Sequence, residues 1–195
     1  VITLVVGVLL FGVSHAVGQS EGDVVISEIM YSPAGTDEDQ EYVEVYNATD
    51  QKINLKGWDL MGEDPGSSSP SFDDITEDVQ VSPGGFVVLC ENGDQSENGG
   101  VNCAYDYANR IDHTNSNDVV ALRDPSDKVI DEVDYNEEGS WPEANDASLE
   151  FVESEGTDNS IPSNWAVADE RAGDYSVTTG QNNWSPNANA PGGKL

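Results

Sequence analysis

The chain has 195 residues, with 38 Asp and Glu against seven Lys and Arg, for a formal net charge of −31. A surface this negative repels phosphate backbones wherever salt does not screen it, so direct binding of DNA or RNA, which relies on Lys and Arg displacing counterions, is not expected. Cations, or partners that carry them, are the counterpart such a chain calls for.

Residues 1–13 (VITLVVGVLLFGV) form a continuous apolar run of signal-peptide-core length, and Ser14, His15 and Ala16 place small residues where a signal peptidase reads. Residues 1–16 are expected to be a signal peptide cleaved after Ala16, its charged n-region and initiator Met truncated. A membrane-spanning helix needs about 20 apolar residues, and Gly18, Gln19, Ser20 and Glu21 end this run too early. The mature chain, residues 17–195, is therefore expected to be secreted or cell-surface, with no membrane contact after cleavage.

From Asp23 onward the pattern is all-β: short strands split by turn-rich polar loops, with no helical period long enough to bury a face. Asp23–Tyr31 and Glu41–Tyr46 alternate as half-buried antiparallel strands, and Ile53–Met61 supplies a third. Asp78–Val81 and Phe86–Cys90 flank Ser82-Pro83-Gly84-Gly85, while Val119–Arg123 and Val129–Tyr135 flank Asp124–Lys128, which predicts two hairpins. Ser148–Val152 is the last expected strand, and the Asn-, Gly-, Ser- and Pro-rich stretch from about Asn159 is read as an irregular tail. Strands of this number and spacing fill one two-sheet sandwich. Its core is predicted from Val24, Ile26, Ile29, Val43, Val45, Ile53, Leu55, Trp58, Leu60, Phe86, Val88, Val120, Leu122, Val129, Ile130, Val133, Leu149 and Phe151.

Cys90 and Cys103 are an even pair in an exported chain, so one disulfide is the economical reading; it closes a loop of about a dozen residues and stabilises by roughly 3 kcal/mol. A thiol metal site is disfavoured because His113 is the one plausible partner and stands by itself. Asn47-Ala48-Thr49 is a glycosylation acceptor in a eukaryotic host, whereas Pro186 behind Asn183-Trp184-Ser185 disfavours the second one.

Six segments, ISEIMYSP (26–33), EYVEVYNAT (41–49), INLKGWDL (53–60), VSPGGFVVLC (81–90), SNDVVALRDPSDKVIDEVDY (116–135) and SWPEANDASLE (140–150), resemble in order the lamin tail domain family. The closing NSIPSNW (159–165) and WSPNANAPGG (184–193) are similar to the ending of its secreted members. The resemblance implies an immunoglobulin-like β-sandwich that binds or assembles. Such domains occur in nuclear lamins and beside secreted nucleases, phosphatases and other hydrolases, and the family is not itself enzymatic. The coiled-coil rod of a lamin is missing, since no heptad pattern occurs, and no catalytic domain accompanies the motifs.

Acidic clusters are the remaining candidates for chemistry: Asp37-Glu38-Asp39, Asp73-Asp74, the loop Glu91, Asn92, Asp94 and Glu97, Asp112 with Asn115, Asn117 and Asp118, and Glu137-Glu138. Ca²⁺ selects hard oxygen ligands, six to eight at once, and the proposed set is Asp37, Asp39, Asn92, Asp94 and Glu97. The EF-hand spacing is missing, and a solvated acidic surface explains the same residues without a site. Glu28, Glu41 and Glu44, like Asp131, Glu132 and Asp134, are expected on exposed strand faces rather than in a carboxylate pair for acid–base catalysis. No Ser/His/Asp set is complete around His113, and no glycine loop precedes a helix. Trp58 is read as core, with Trp165 and Trp184 pinning the tail. The leading expectation is a non-catalytic secreted module that binds an extracellular or cell-surface protein or assembles a matrix. The alternatives are a calcium-binding, mineral-associated protein and an accessory domain of a secreted hydrolase.

Overall fold

The computed structural model describes residues 18–34, 37–62, 71–108, 110, 111, 113–136, 139–152 and 158–168. Residues 1–16, expected to be a signal peptide, lie outside those residues, as do Asp112, Glu137, Glu138 and Trp184 and the side chains of Asp37 and Glu38. Among the described residues no helix is long and apolar enough to cross a membrane.

The described residues fold mainly into two sheets that share one core, antiparallel except for one edge strand of the larger. β1 (Val24–Met30) sits inside the larger sheet, flanked by β2 (Tyr42–Asn47) and by β11 (Leu149–Phe151). That sheet continues through β7 (Phe86–Cys90) to the parallel pair-strand β8 (Tyr105–Asp106), and on the other side to β12 (Trp165–Val167). The second sheet runs β10 (Val129–Asn136), β9 (Asn117–Arg123), β4 (Asp59–Gly62), β5 (Ser71–Asp74). A two-stranded ribbon joins β3 (Ile53–Asn54) to β6 (Gln80–Val81), and a single turn of helix, α1 (Asp37–Gln40), precedes β2. Ile26, Ile29, Val43, Leu89 and Leu149 from the larger sheet meet Leu60, Val120, Leu122, Ile130, Val133 and Tyr135 from the smaller one in a continuous core. This is the expected immunoglobulin-like sandwich. β-branched and aromatic residues at alternate positions place one side chain row of each strand inside it.

Sixteen of the eighteen predicted core residues are buried; Phe86 is half-buried and Val129 lies 37 % exposed at the mouth of the β9–β10 turn. The β9–β10 hairpin forms in the predicted place. Asp124 organises its turn, its Oδ1 accepting from Ser126 N (2.8 Å), Ser126 Oγ (2.6 Å) and Lys128 N (3.1 Å).

The other expected hairpin does not form. Val81 pairs with Ile53, whereas Phe86–Cys90 pairs with β2, so the Ser82–Gly85 turn carries the chain from the small ribbon to the large sheet. Gly85 N donates to Ser82 O (2.9 Å), and Gly84 and Gly85 also bond the backbone of Asn47, which docks the turn against the end of β2. Ile53–Met61 is likewise two strands. Gly57 breaks it with a φ of +78°, a left-handed conformation that glycine adopts without the Cβ clash, and Trp58 N bonds back to Leu55 O.

The stretch expected to be irregular from about Asn159 contains regular structure in its described part, which runs to Ala168. Pro162–Asn164 makes a 3-10 turn, and β12 then pairs with β11, setting Trp165 against Phe151 and Trp141 with ring centroids 5.5 and 5.8 Å apart.

Candidate functional site

At one end of the larger sheet, α1 and the loop 91–108 gather carboxylates around a cleft of about 200 Å³ lined by Asp39, Glu91, Asn92, Asp106 and Ala108. The loop is stapled by the expected Cys90–Cys103 disulfide, with a Cα–Cα distance of 5.8 Å. Val101 and Cys103 pack on Met30, Tyr42 and Val88, so the staple also covers the outer face of the sheet. Asn98 sits at the centre of the loop. Its Nδ2 donates to Asn92 O (2.8 Å) and Val101 O (3.1 Å), and its Oδ1 accepts from the Gly100 and Val101 amides.

The structure brings three of the predicted calcium residues together. Asn92 Nδ2 donates to Asp39 Oδ1 (2.9 Å) and to Glu97 Oε2 (3.2 Å). Asp94 turns away: its Oδ1 accepts from Ser96 Oγ (2.7 Å) and Ser96 N (2.9 Å), bonds that hold its carboxyl below the usual range. Asp37 is placed by its backbone in α1, and its side chain lies outside the described residues. Asp106, not singled out in the sequence, belongs to the cluster, accepting from Gly93 N (3.1 Å) and Ala108 N (2.8 Å). Amide donors occupy much of this oxygen set, and among the described residues no group of three or more His, Cys, Asp or Glu is arranged to hold a metal ion.

Of the acidic residues expected on open strand faces, Glu132 and Asp134 are exposed, whereas Glu28, Glu41, Glu44 and Asp131 are buried. Glu28, Glu41 and Glu44 are at most 2 % exposed. Glu28 stands opposite Glu44 on β2 and Glu150 on β11, a row of three carboxyls across neighbouring strands. Its Oε1 accepts from Tyr42 OH (2.7 Å) and Ser148 Oγ (2.5 Å), while Oε2 is buried without a hydrogen bond among the described residues. Burial pushes its carboxyl up, against the pull of the Ser148 and Tyr42 bonds. Ser27 Oγ donates to Glu44 Oε1 (3.0 Å), and Glu41 Oε2 accepts from His113 N (3.0 Å).

His113 is itself 1 % exposed, with Nδ1 3.5 Å from Asp118 Oδ2 and its ring edge-on to Tyr107. The grouping of His113, Asp118 and Glu41 was illegible in the sequence because Glu41 is more than 70 positions away. Asp131 is buried too, accepting from Ile26 N (2.6 Å) and Asn159 Nδ2 (2.8 Å); desolvation raises its pKa to about 6 despite these bonds.

Asn47, the glycosylation acceptor, is fully buried at the end of β2. Its Nδ2 donates to Gln51 O (2.7 Å) and Val81 O (3.0 Å), and its Oδ1 accepts from Thr49 N and Thr49 Oγ1. In this fold the amide nitrogen that would carry a glycan is a structural donor.

A comparison with curated proteins finds no match. The family model described as Lamin Tail Domain matches residues 18–137, from the segment before β1 to the end of β10. That span covers more than half of the chain and every described strand but β11 and β12, and on this ground the chain belongs to the lamin tail domain family.

Proposed function

We propose that this chain is a non-catalytic binding module that works outside the cytosol and engages a cationic protein surface through its loop 91–108 and α1. The observation that supports it most is the disulfide-stapled loop, which with α1 sets Asp39 and Asp106 in the wall of an open cleft, Glu97 bonding the cleft residue Asn92, on a non-enzymatic family scaffold. A staple holds the loop's shape without a partner, so little ordering entropy opposes docking. The disulfide favours an oxidising compartment, in keeping with the secretory reading of residues 1–16.

Fluorescence anisotropy against an oligolysine peptide tests it. The triple substitution D39N/E97Q/D106N is expected to weaken binding more than tenfold. A control that removes three charges elsewhere, E132Q/D134N/D74N, is expected to change it less than threefold. Equal losses in the two variants would reduce the interaction to net charge and overturn the loop as the contact surface.

Calcium binding at the same loop is the second reading, favoured by the contact of Asn92 with both Asp39 and Glu97. A saturable rise in Tm with Ca²⁺, unmatched by Mg²⁺ at fixed ionic strength, would support it. A rise that Mg²⁺ reproduces would be charge screening.

A further inference from the structure

The stapled loop carries both Asn-Gly pairs of the chain, Asn92-Gly93 and Asn98-Gly99. An Asn followed by Gly is the pair best able to lose its side-chain amide, because a backbone nitrogen with no Cβ crowding it can reach the Asn Cγ and close a succinimide ring. The fold holds the two pairs in opposite ways.

Asn92 is half-buried and Gly93 exposed, so water reaches the first pair. Asn92 Oδ1 accepts from Asp94 N (2.8 Å), a turn that folds the carboxamide back toward the Gly93 amide and sets a donor on the oxygen where negative charge would develop. Gly93 N, the nucleophile, donates to Asp106 Oδ2 (3.1 Å), a carboxyl placed to take its proton. That approach depends on glycine, since a Cβ at position 93 would lie 3.1 Å from the same Oδ2 and 3.3 Å from Asp106 Cβ. The nitrogen that would leave, Asn92 Nδ2, donates to Asp39 Oδ1 (2.9 Å) and Glu97 Oε2 (3.2 Å). Nucleophile, base, oxyanion donor and leaving group are thus held together before reaction, which lowers the entropic part of the barrier.

We propose that Asn92 is a self-deamidation site, converted to Asp or isoaspartate by attack of the Gly93 nitrogen, while Asn98 in the same loop is spared. The Gly93 N–Cγ bond forms as the amide proton passes to Asp106. The Cγ–Nδ2 bond breaks as Nδ2 takes up a proton and departs as ammonia, and water then opens the succinimide at either of its carbonyls. In sum a water is consumed and an ammonia released, with no change of oxidation state. The product sets an acceptor between Asp39 and Glu97 where a donor had bridged them, so the tie from the loop to α1 turns into a repulsion.

Asn98 differs in access and in partners. It is 2 % exposed, and its Nδ2 donates to the backbone carbonyls of Asn92 and Val101, which have no proton to give a leaving group. Losing that amide would also leave both buried carbonyls unpaired, so the loop resists the change.

Peptide mapping of the whole protein by mass spectrometry, sampled over weeks at neutral pH, is the test. Asn92 is expected to convert at least about tenfold faster than Asn98, and faster than the same residue in a free peptide of residues 91–98, where Asp106 is missing. D106N, whose Oδ1 can still accept from Ala108 N, is expected to slow conversion at Asn92 by about tenfold or more while leaving Asn98 and Tm unchanged. A rate at Asn92 no greater in the protein than in the peptide would overturn the proposal, and so would a D106N variant that deamidates at the wild-type rate. Should D106N lower Tm, the comparison with the peptide decides by itself.

Discussion

Asn47 shows how much one side chain can close off. Its amide caps two carbonyls, Gln51 O and Val81 O, and its carbonyl takes two donors from Thr49, so all of these groups are satisfied inside the protein. Removing the amide leaves buried acceptors unpaired, a cost of about 1–3 kcal/mol for a buried group. Asn47→Ala is expected to destabilise the fold by about 3 kcal/mol, read as a lower urea midpoint at unchanged m-value. The sequence signals such a role at Asn47, which closes the alternating run of β2, because Asn hydrogen-bonds its own backbone where chains reverse. It misled at Glu28, Glu41 and Glu44. Strict alternation in β2 reads as one wet face, and no local signal says that the loop carrying Val101 folds back over the face where Tyr42 and Val88 lie. Burial on both faces is a tertiary fact, set by residues far along the chain, and period-two pattern is blind to it.

Among the elements, legibility followed locality. The β9–β10 hairpin joins adjacent strands through a turn whose chemistry, Asp124 bonding Ser126 and Lys128, is written in five consecutive residues. Burial works against Asp124 ionisation, yet the Ser126 and Lys128 bonds outweigh it and hold the carboxyl low. Strand pairs that cross the fold were not legible: β3 with β6, β2 with β7 and β11 with β1 depend on which sheet each strand joins, and turn residues do not encode that. The short strands β5, β8 and β12 were missed because two to four residues carry too little alternation to register. The stapled loop supplies a test at this scale. Its bond closes a sequence separation of 13 residues, for which chain entropy gives about 3 kcal/mol. Cys90→Ser with Cys103→Ser is expected to lower Tm by about 10 °C, and reductant should lower the wild type to match while leaving the double variant unmoved. A larger drop would mean that Val101 leaves the outer face as well.

Over the whole molecule the charge is unevenly answered. Arg110 pairs with Asp73, Arg123 grips Asp59 through two nitrogens (2.8 and 2.5 Å), and Lys56 lies 3.9 Å from Asp78, so several described cations are committed to individual acids. Arg123 also lies 5.9 Å from the ring of Phe72, which at 51 % is the most exposed large hydrophobic described. The carboxylates left over repel one another across a chain of net charge −31, and that self-repulsion weakens the compact state. Raising NaCl from about 0.01 to 0.15 M shortens the screening length from about 30 to 8 Å, and Tm is expected to rise by several degrees in a calorimeter. An unchanged Tm would mean that the acids are already neutralised by bound cations.

The central place of β1 has a consequence for biosynthesis. One of its neighbours, β2, follows within about twenty residues, but the other, β11, lies far along the chain, and Ser148 just before it reaches Glu28 across 120 positions. A chain emerging N-terminus first therefore carries a half-matched ribbon of apolar strand until nearly all of residues 18–168 have left the ribosome or the translocation channel. Such an open edge is a template for pairing with other nascent chains. Its protection in that interval has to come from a chaperone, or from the acidity of the chain itself, which keeps sister molecules apart while they wait for their last strands.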